Sequence, residues 1–211
     1  MPQVMRHAVF ITFEGGEGAG KTTLVQEISK ALSSQGQTVL VTREPGGTPL
    51  GEEIRRLLLQ PSPLSPYAEL TLFLASRAQH IAEVIRPALH EKKMVLCDRF
   101  NDSTIAYQGA ARGLGVEEVS GFCSFISQGL EPNLTFYLDL DPHIGLKRLQ
   151  RSKDRIEAEE LEFHITIRKA FHSLAALHPH RLKVLDASQP PEKVFADAMQ
   201  YLEPFIQKNH V

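Results

Sequence analysis

The chain is expected to fold as an α/β protein, a five-stranded parallel sheet flanked by helices. Two observations predict this. Five short runs rich in apolar and β-branched residues recur along the chain, and the stretches between them have helical period, the alternation that yields a parallel sheet covered by helices. Most of the runs are also near-continuously apolar rather than alternating, as strands buried on both faces are.

Taken in order, the predicted strands are AVFITFE (8–14), TVLVT (38–42), MVLCD (94–98), LTFYLDL (134–140) and LKVLDA (182–187). After the first strand, Leu24, Val25, Ile28, Ala31 and Leu32 share one helical face, and SSQG then closes that helix. Residues 66–90 form a long amphipathic stretch with no Gly and, after its first residue, no Pro until Pro87. Residues 115–129, 142–151, 156–178 and 190–207 also read as helices, and LQPSPLSPY (59–67) as a loop between helices. No internal repeat or low-complexity segment interrupts 1–211, so a single domain with at most a small mobile insert is expected.

A net charge of −2 provides no general attraction to nucleic acid or an anionic membrane, so an anionic ligand has to be held by local groups. Neither nucleic acid nor membrane is expected as a partner. Cys97 and Cys123 sit in apolar runs and read as buried thiols of a reducing compartment, without zinc-site spacing. The opening residues lack the long apolar core and cleavage site of a signal peptide, and no apolar run approaches a membrane span, so a cytoplasmic protein is expected. The nine histidines are scattered without metal-ligand spacing.

Gly15, Gly16, Glu17, Gly18, Ala19, Gly20, Lys21 and Thr22 match the pattern G-x-x-x-x-G-K-[ST], with a strand ending at Glu14 and a helix starting near Lys21. Glycines let backbone N–H groups turn inward around a phosphate at a helix N-terminus, where the helix dipole also favours an anion. Lys21 would reach the β- and γ-phosphates of a nucleoside triphosphate, and the Thr22 hydroxyl would hold Mg²⁺, with Thr23 following in the same turn. Glu17 is the anomaly, an acid inside an anion-binding loop. The third strand ends in Asp98 and Arg99, which should face this loop across the C-terminal edge of the sheet. Asp98 suits the Mg²⁺ shell and the fork of Arg99 suits a phosphate; a structural Asp–Arg pair would look the same in the dipeptide alone.

The segments FEGGEGAGKTT, TREPGGT and DRFNDSTIAYQG together resemble the bacterial thymidylate kinases, in consistent order and spacing over nearly the whole chain. The resemblance implies a P-loop nucleoside monophosphate kinase fold and transfer of a phosphoryl group from Mg-ATP to dTMP. It implies Phe73 on the thymine ring, Arg77 on a base carbonyl, and Ser103, Thr104, Tyr107 and Gln108 near base and sugar. It also implies Arg99 on the acceptor phosphate, and Glu17 accepting from the sugar 3′-hydroxyl. Arg43, Glu44 and Pro45 would border the acceptor site, although Arg43 could equally be a structural ion pair. Phe100 stands where many members have Tyr or His.

GLKRLQRSKDRIEAEE (145–160) brings Lys147, Arg148, Arg151, Lys153 and Arg155 close together. On composition it reads as a solvated charged face. The resemblance instead makes residues from about 148 to 157 a lid over ATP, with Arg151 and Arg155 as the leading lid cations; Lys147, Arg151 and Arg155 would share one helical face if the helix continued that far. Some family members carry Arg in the loop and few in the lid, whereas here Gly18 occupies that loop position. A deoxynucleoside kinase, with Glu44 as base, and a phosphate-loop switch remain alternatives; against the switch, no N-K-x-D motif is present. A homodimer is expected from the family, with LTLFLAS and GFCSFIS as candidate interface segments.

Overall fold

The computed structural model describes residues 8–149 and 154–207. Five strands, β1 (Val9–Gly15), β2 (Val39–Arg43), β3 (Met94–Asp98), β4 (Leu134–Asp139) and β5 (Leu182–Asp186), form one sheet in the order β2-β3-β1-β4-β5. All four pairings are parallel. Nine α-helices are described: α1 (Lys21–Ser34), α2 (Pro49–Leu59), α3 (Pro66–His80), α4 (Arg86–His90), α5 (Asn101–Thr104), α6 (Val116–Ser127), α7 (Pro142–Arg148), α8 (Leu161–Leu177) and α9 (Pro191–Gln207). Among the described residues no helix is long and apolar enough to cross a membrane.

β1 is the centre of the sheet, and its alternate side chains serve two cores. Val9, Ile11 and Phe13 pack with Leu24, Ile28 and Leu32 of α1 and Ala198 and Leu202 of α9. Phe10 joins Ile81, Ile85 and Phe100 on the opposite face. Burying both faces explains why the strand reads as an unbroken apolar run. The pairing aligns Phe13 with Asp98 and Arg43 with Asp98, so β1, β2 and β3 end together at one edge.

Three stretches depart from the sequence expectation. The helix over 66–90 is interrupted by a π-helical segment at Ile81–Ile85. α8 starts at Leu161 rather than 156, because Asp154 Oδ1 accepts from the backbone N–H groups of Ile156 and Glu157 (both 2.9 Å) and holds a turn there. α7 ends at Arg148, with Leu149 extended (φ −75°, ψ 108°), so the helical face that would have joined Lys147 to Arg155 is not formed. Arg151 and Lys153 lie outside the described residues.

Candidate active site

β1 delivers the glycine-rich loop to the sheet edge, and α1 begins at Lys21 after Gly20, which is in the left-handed region (φ 90°). Gly18 is the tightest point of the loop. It has φ 68°, and a Cβ there would lie 2.2 Å from the carbonyl oxygen of Gly145 in α7. No side chain fits at this position, so an arginine cannot replace Gly18 in this protein. Lys21 is buried and its Nζ donates to the carbonyls of Gly15 (3.0 Å) and Gly16 (2.9 Å). Burial and the neighbouring Arg99 push the Lys21 ammonium below its ordinary pKa, against the pull of Glu17, Asp98 and Glu14. Thr22 Oγ1 donates to Asp98 Oδ2 (3.1 Å).

Glu17 does not point into the ring of backbone amides. Its Oε1 accepts from Arg99 Nη2 (2.7 Å) and from the Tyr107 hydroxyl (2.9 Å). Burial alone would raise its pKa, but Arg99 and then Lys21 pull it down to about 2. Arg99 adopts φ 72° at the end of β3, donates also to Ser103 Oγ (3.1 Å), and lies over the Tyr107 ring at 5.0 Å. The acid and the arginine thus connect the loop to the neighbouring cavity.

That cavity, about 240 Å³, is lined by Glu17, Lys21, Thr22, Arg43, Glu44, Pro45, Phe73, Arg77, Asp98, Arg99, Ser103, Thr104, Tyr107 and Gln108. The residues singled out from four separate sequence segments are therefore brought together. Tyr107 and Gln108 lie in a π-helical segment, Ile105–Ala111, following α5, an irregularity often found at functional sites. The segment turns Tyr107 to the loop and Gln108 to α3, where Gln108 Nε2 donates to Glu69 Oε1 (2.7 Å). Arg77 is almost fully buried, with Nε on Glu44 (2.7 Å) and Nη2 on Thr104 Oγ1 (2.9 Å). Glu44 also contacts His80 (2.9 Å), so both its oxygens are engaged, which leaves it poorly placed as a general base. Arg43 forms a half-exposed ion pair at the cavity mouth, its Nη2 donating to both carboxylate oxygens of Glu52 (both 2.9 Å).

Arg155 is not at the phosphate loop. Its Nη1 pairs with Glu69 (2.6 Å) and its Nε donates to the Leu58 carbonyl (3.0 Å), tying this turn to α2 and α3. Arg148 is nearer, donating to the Gly18 carbonyl (3.3 Å). It borders a second groove of about 440 Å³ on the other side of the loop, walled by Ala19, Gly20, Thr23, Leu24 and Phe195.

Sequence reasoning missed several of these residues. Arg55 of α2 lines the cavity, positioned because Thr48 caps α2 through Gly51 N (2.9 Å) and Pro49 opens it. Burial and the nearby Arg43 and Arg99 hold Arg55 below the ordinary arginine pKa, the mark of a crowded cluster of cations. Glu14 was legible as an acid at the end of an otherwise apolar strand. It is fully buried and accepts from the Phe100 N–H (2.8 Å) and the Ser103 hydroxyl, fixing the turn that carries Arg99.

Burial, followed by the Asp102 charge, raises the Glu14 pKa to about 8, against about 4.5 unfolded. The folded state therefore binds this proton more readily than the unfolded chain. The resulting stabilisation is complete below the unfolded value and is lost as pH rises through the folded one. Between about pH 5 and about pH 8 the wild type should therefore lose stability as the pH rises, through release of this proton. Glu14→Gln should flatten the slope in urea unfolding; equal slopes in both proteins would rule the assignment out.

A phosphate-loop motif at the end of the central strand, the arginines Arg55 and Arg99 beside it and the cavity of about 240 Å³ they line mark the fold of a P-loop nucleoside monophosphate kinase. A thymidylate kinase family model matches residues 13–198. The chain is 48% identical over 215 residues to a thymidylate kinase of Protochlamydia amoebophila, covering 96% of each, and 44% identical over 211 residues to that of Bacillus licheniformis, covering 97% of this chain and 100% of the relative. The crystal structure of thymidylate kinase from Ehrlichia chaffeensis superposes with a TM-score of 0.78 at 34% identity, over 93% of this chain and 99% of the other. The chain belongs to the thymidylate kinase family. It is an enzyme that phosphorylates dTMP to dTDP with ATP as donor, a step towards dTTP for DNA synthesis.

Proposed function

We propose that the cavity between α3 and the Ile105–Ala111 segment takes dTMP, with its phosphate on Arg99, while the glycine-rich loop takes the phosphates of ATP. The carrying observation is the 2.7 Å bond between Arg99 and Glu17, because it places the head of the cavity against the loop itself. Phe73 stacks on the base, and Arg99 and Arg55 supply the charge that draws the acceptor phosphate in. Arg77, Ser103, Thr104, Tyr107 and Gln108 close the wall around base and sugar, with Arg43, Glu44 and Pro45 at the rim. The triphosphate lies along Gly15 to Thr23, and its base reaches the groove beyond Ala19 and Thr23. Glu17 accepts from the acceptor sugar.

An acceptor phosphate oxygen then attacks the terminal phosphorus of ATP in line. It is already anionic near neutral pH, so no strong general base is required, and the residues act by positioning and charge. Lys21 and Arg99 approach the transfer from the donor and acceptor sides, and Arg148 and Arg151 are the lid cations of this reading. The residues fit a magnesium ion: Asp98 Oδ1 is a buried carboxylate oxygen without a hydrogen-bond partner among the described residues, beside Thr22 Oγ1. Held by Thr22 and Asp98, Mg²⁺ would neutralise phosphate charge. Residues from about 148 to 157 form the lid of a single domain. The enzyme works in the cytoplasm, in keeping with its two free, buried thiols. It pairs as a homodimer through α6, where Phe122 (54% exposed) and Phe125 (79% exposed) face outward beside α3.

The direct test is ADP release from ATP and Mg²⁺ with dTMP, dUMP, UMP, CMP, GMP or thymidine. dTMP should lead, with some dUMP turnover, since one methyl is worth only about 1–3 kcal/mol. Glu17→Gln should lower kcat/KM for dTMP by about 10- to 100-fold, the loss of a charged hydrogen-bonding group, with ATP affinity unchanged. Equal loss on both substrates would show that Glu17 serves the loop rather than the acceptor.

A further inference from the structure

Glu69 of α3 is 1% exposed and lies behind the cavity wall. Its Oε1 accepts from Gln108 Nε2 (2.7 Å) and Arg112 Nε (3.1 Å), and its Oε2 from Arg112 Nη2 (3.1 Å) and Arg155 Nη1 (2.6 Å). Although burial opposes its charge, hydrogen bonds from Arg112 and Gln108 hold the carboxyl below its ordinary pKa, so it stays ionised. An ionised carboxylate accepts and cannot donate, which dictates the orientation of the Gln108 amide: the NH₂ must face Glu69, and the carbonyl oxygen is the polar atom left for the cavity that Gln108 lines.

We infer that Glu69 sets the base specificity of the acceptor site by locking Gln108 with its carbonyl toward the base. This rests on the reading that the cavity binds dTMP. A carbonyl oxygen is matched by the N3–H of thymine. The N3 of cytosine is an acceptor, and would leave two lone pairs facing each other in a desolvated site. Glu69 touches no substrate in this account; it is a positioning residue that acts through Gln108.

Glu69→Gln provides a sharp test because it is nearly isosteric. The new amide has one oxygen for four donors. Placed at the Oε2 position, that oxygen keeps charge-assisted bonds to both Arg112 and Arg155, whereas at Oε1 it would confront both arginines with an NH₂. The NH₂ therefore comes to face Arg112 Nε and Gln108, one arginine donor instead of two, and of these partners only Gln108 can reverse, presenting its own NH₂ to the cavity. The ratio of kcat/KM for dTMP over dCMP should fall at least about tenfold, with the KM for ATP unchanged. A generally loosened structure would lower both nucleotides together and leave the ratio alone. A wild-type measurement adds a check that needs no variant: N3-methyl-dTMP, which lacks the donor, should bind at least about tenfold more weakly than dTMP. A wild-type enzyme that prefers dTMP, with a ratio kept by Glu69→Gln or full affinity for N3-methyl-dTMP, would overturn the role of Glu69 and leave the acceptor assignment intact. Wild-type indifference to dTMP would overturn the acceptor assignment itself.

Discussion

Lys21→Met is expected to lower kcat/KM for dTMP phosphorylation by about 10³-fold while leaving the thermal midpoint equal to or above that of the wild type. The two halves of this result come from one structural fact. The ammonium is buried and held on the carbonyls of Gly15 and Gly16, and burial has depressed its pKa. A buried charge of this kind contributes little to stability, and methionine of similar length removes it without opening a void. Transfer is different: charge moves along the donor phosphates, and a preorganised cation in a dry site is worth about 3–4 kcal/mol at the transition state. Circular dichroism melts and coupled ADP-release assays on the same preparation check both. A variant that loses stability in step with activity would show that Lys21 mainly holds the loop shut.

The sheet and the phosphate loop were legible in the sequence because each depends on local pattern. Runs such as MVLCD must be covered on both faces, and the spacing of Gly15, Gly20 and Lys21 has few uses other than a phosphate. What was not legible depends on contacts made across the chain. Arg55 and Arg155 look alike in sequence, each in a charged helical stretch, yet α2 turns the first into the cavity and Glu69 holds the second away from the loop. Glu69 itself reads as an ordinary acid in the first turn of a helix, and only the fold shows four donors from three residues converging on it. The helical continuity expected through residues 142–151 fails at Leu149, which departs to an extended conformation that no periodicity signals.

Arg99→Met is expected to remove at least about 10³-fold in kcat/KM for dTMP, about 4 kcal/mol of transition-state stabilisation, and to leave ATP affinity nearly unchanged. The guanidinium is held at two points, with Nη2 on Glu17 and Nη1 on Ser103. On the proposed reading, the acceptor phosphate meets a cation fixed in place by an acid of the glycine-rich loop, and takes up its remaining donors rather than recruiting a mobile side chain. Removing the arginine acts twice: the acceptor phosphate loses its partner, and Glu17 loses the charge that holds its pKa at about 2, so repulsion between two anions replaces a salt bridge. For this reason the double variant Arg99→Met with Glu17→Gln should recover part of the lost activity, because the uncompensated carboxylate is gone. Arg99→Lys should restore less than the charge alone suggests, since one ammonium cannot serve Glu17, Ser103 and a phosphate in the fork geometry the site holds. Steady-state kinetics of the three variants, with each substrate varied in turn, decide the matter. Additive losses in the double variant would mean that Arg99 and Glu17 act separately, and that the loop and the acceptor cavity are neighbours without being coupled.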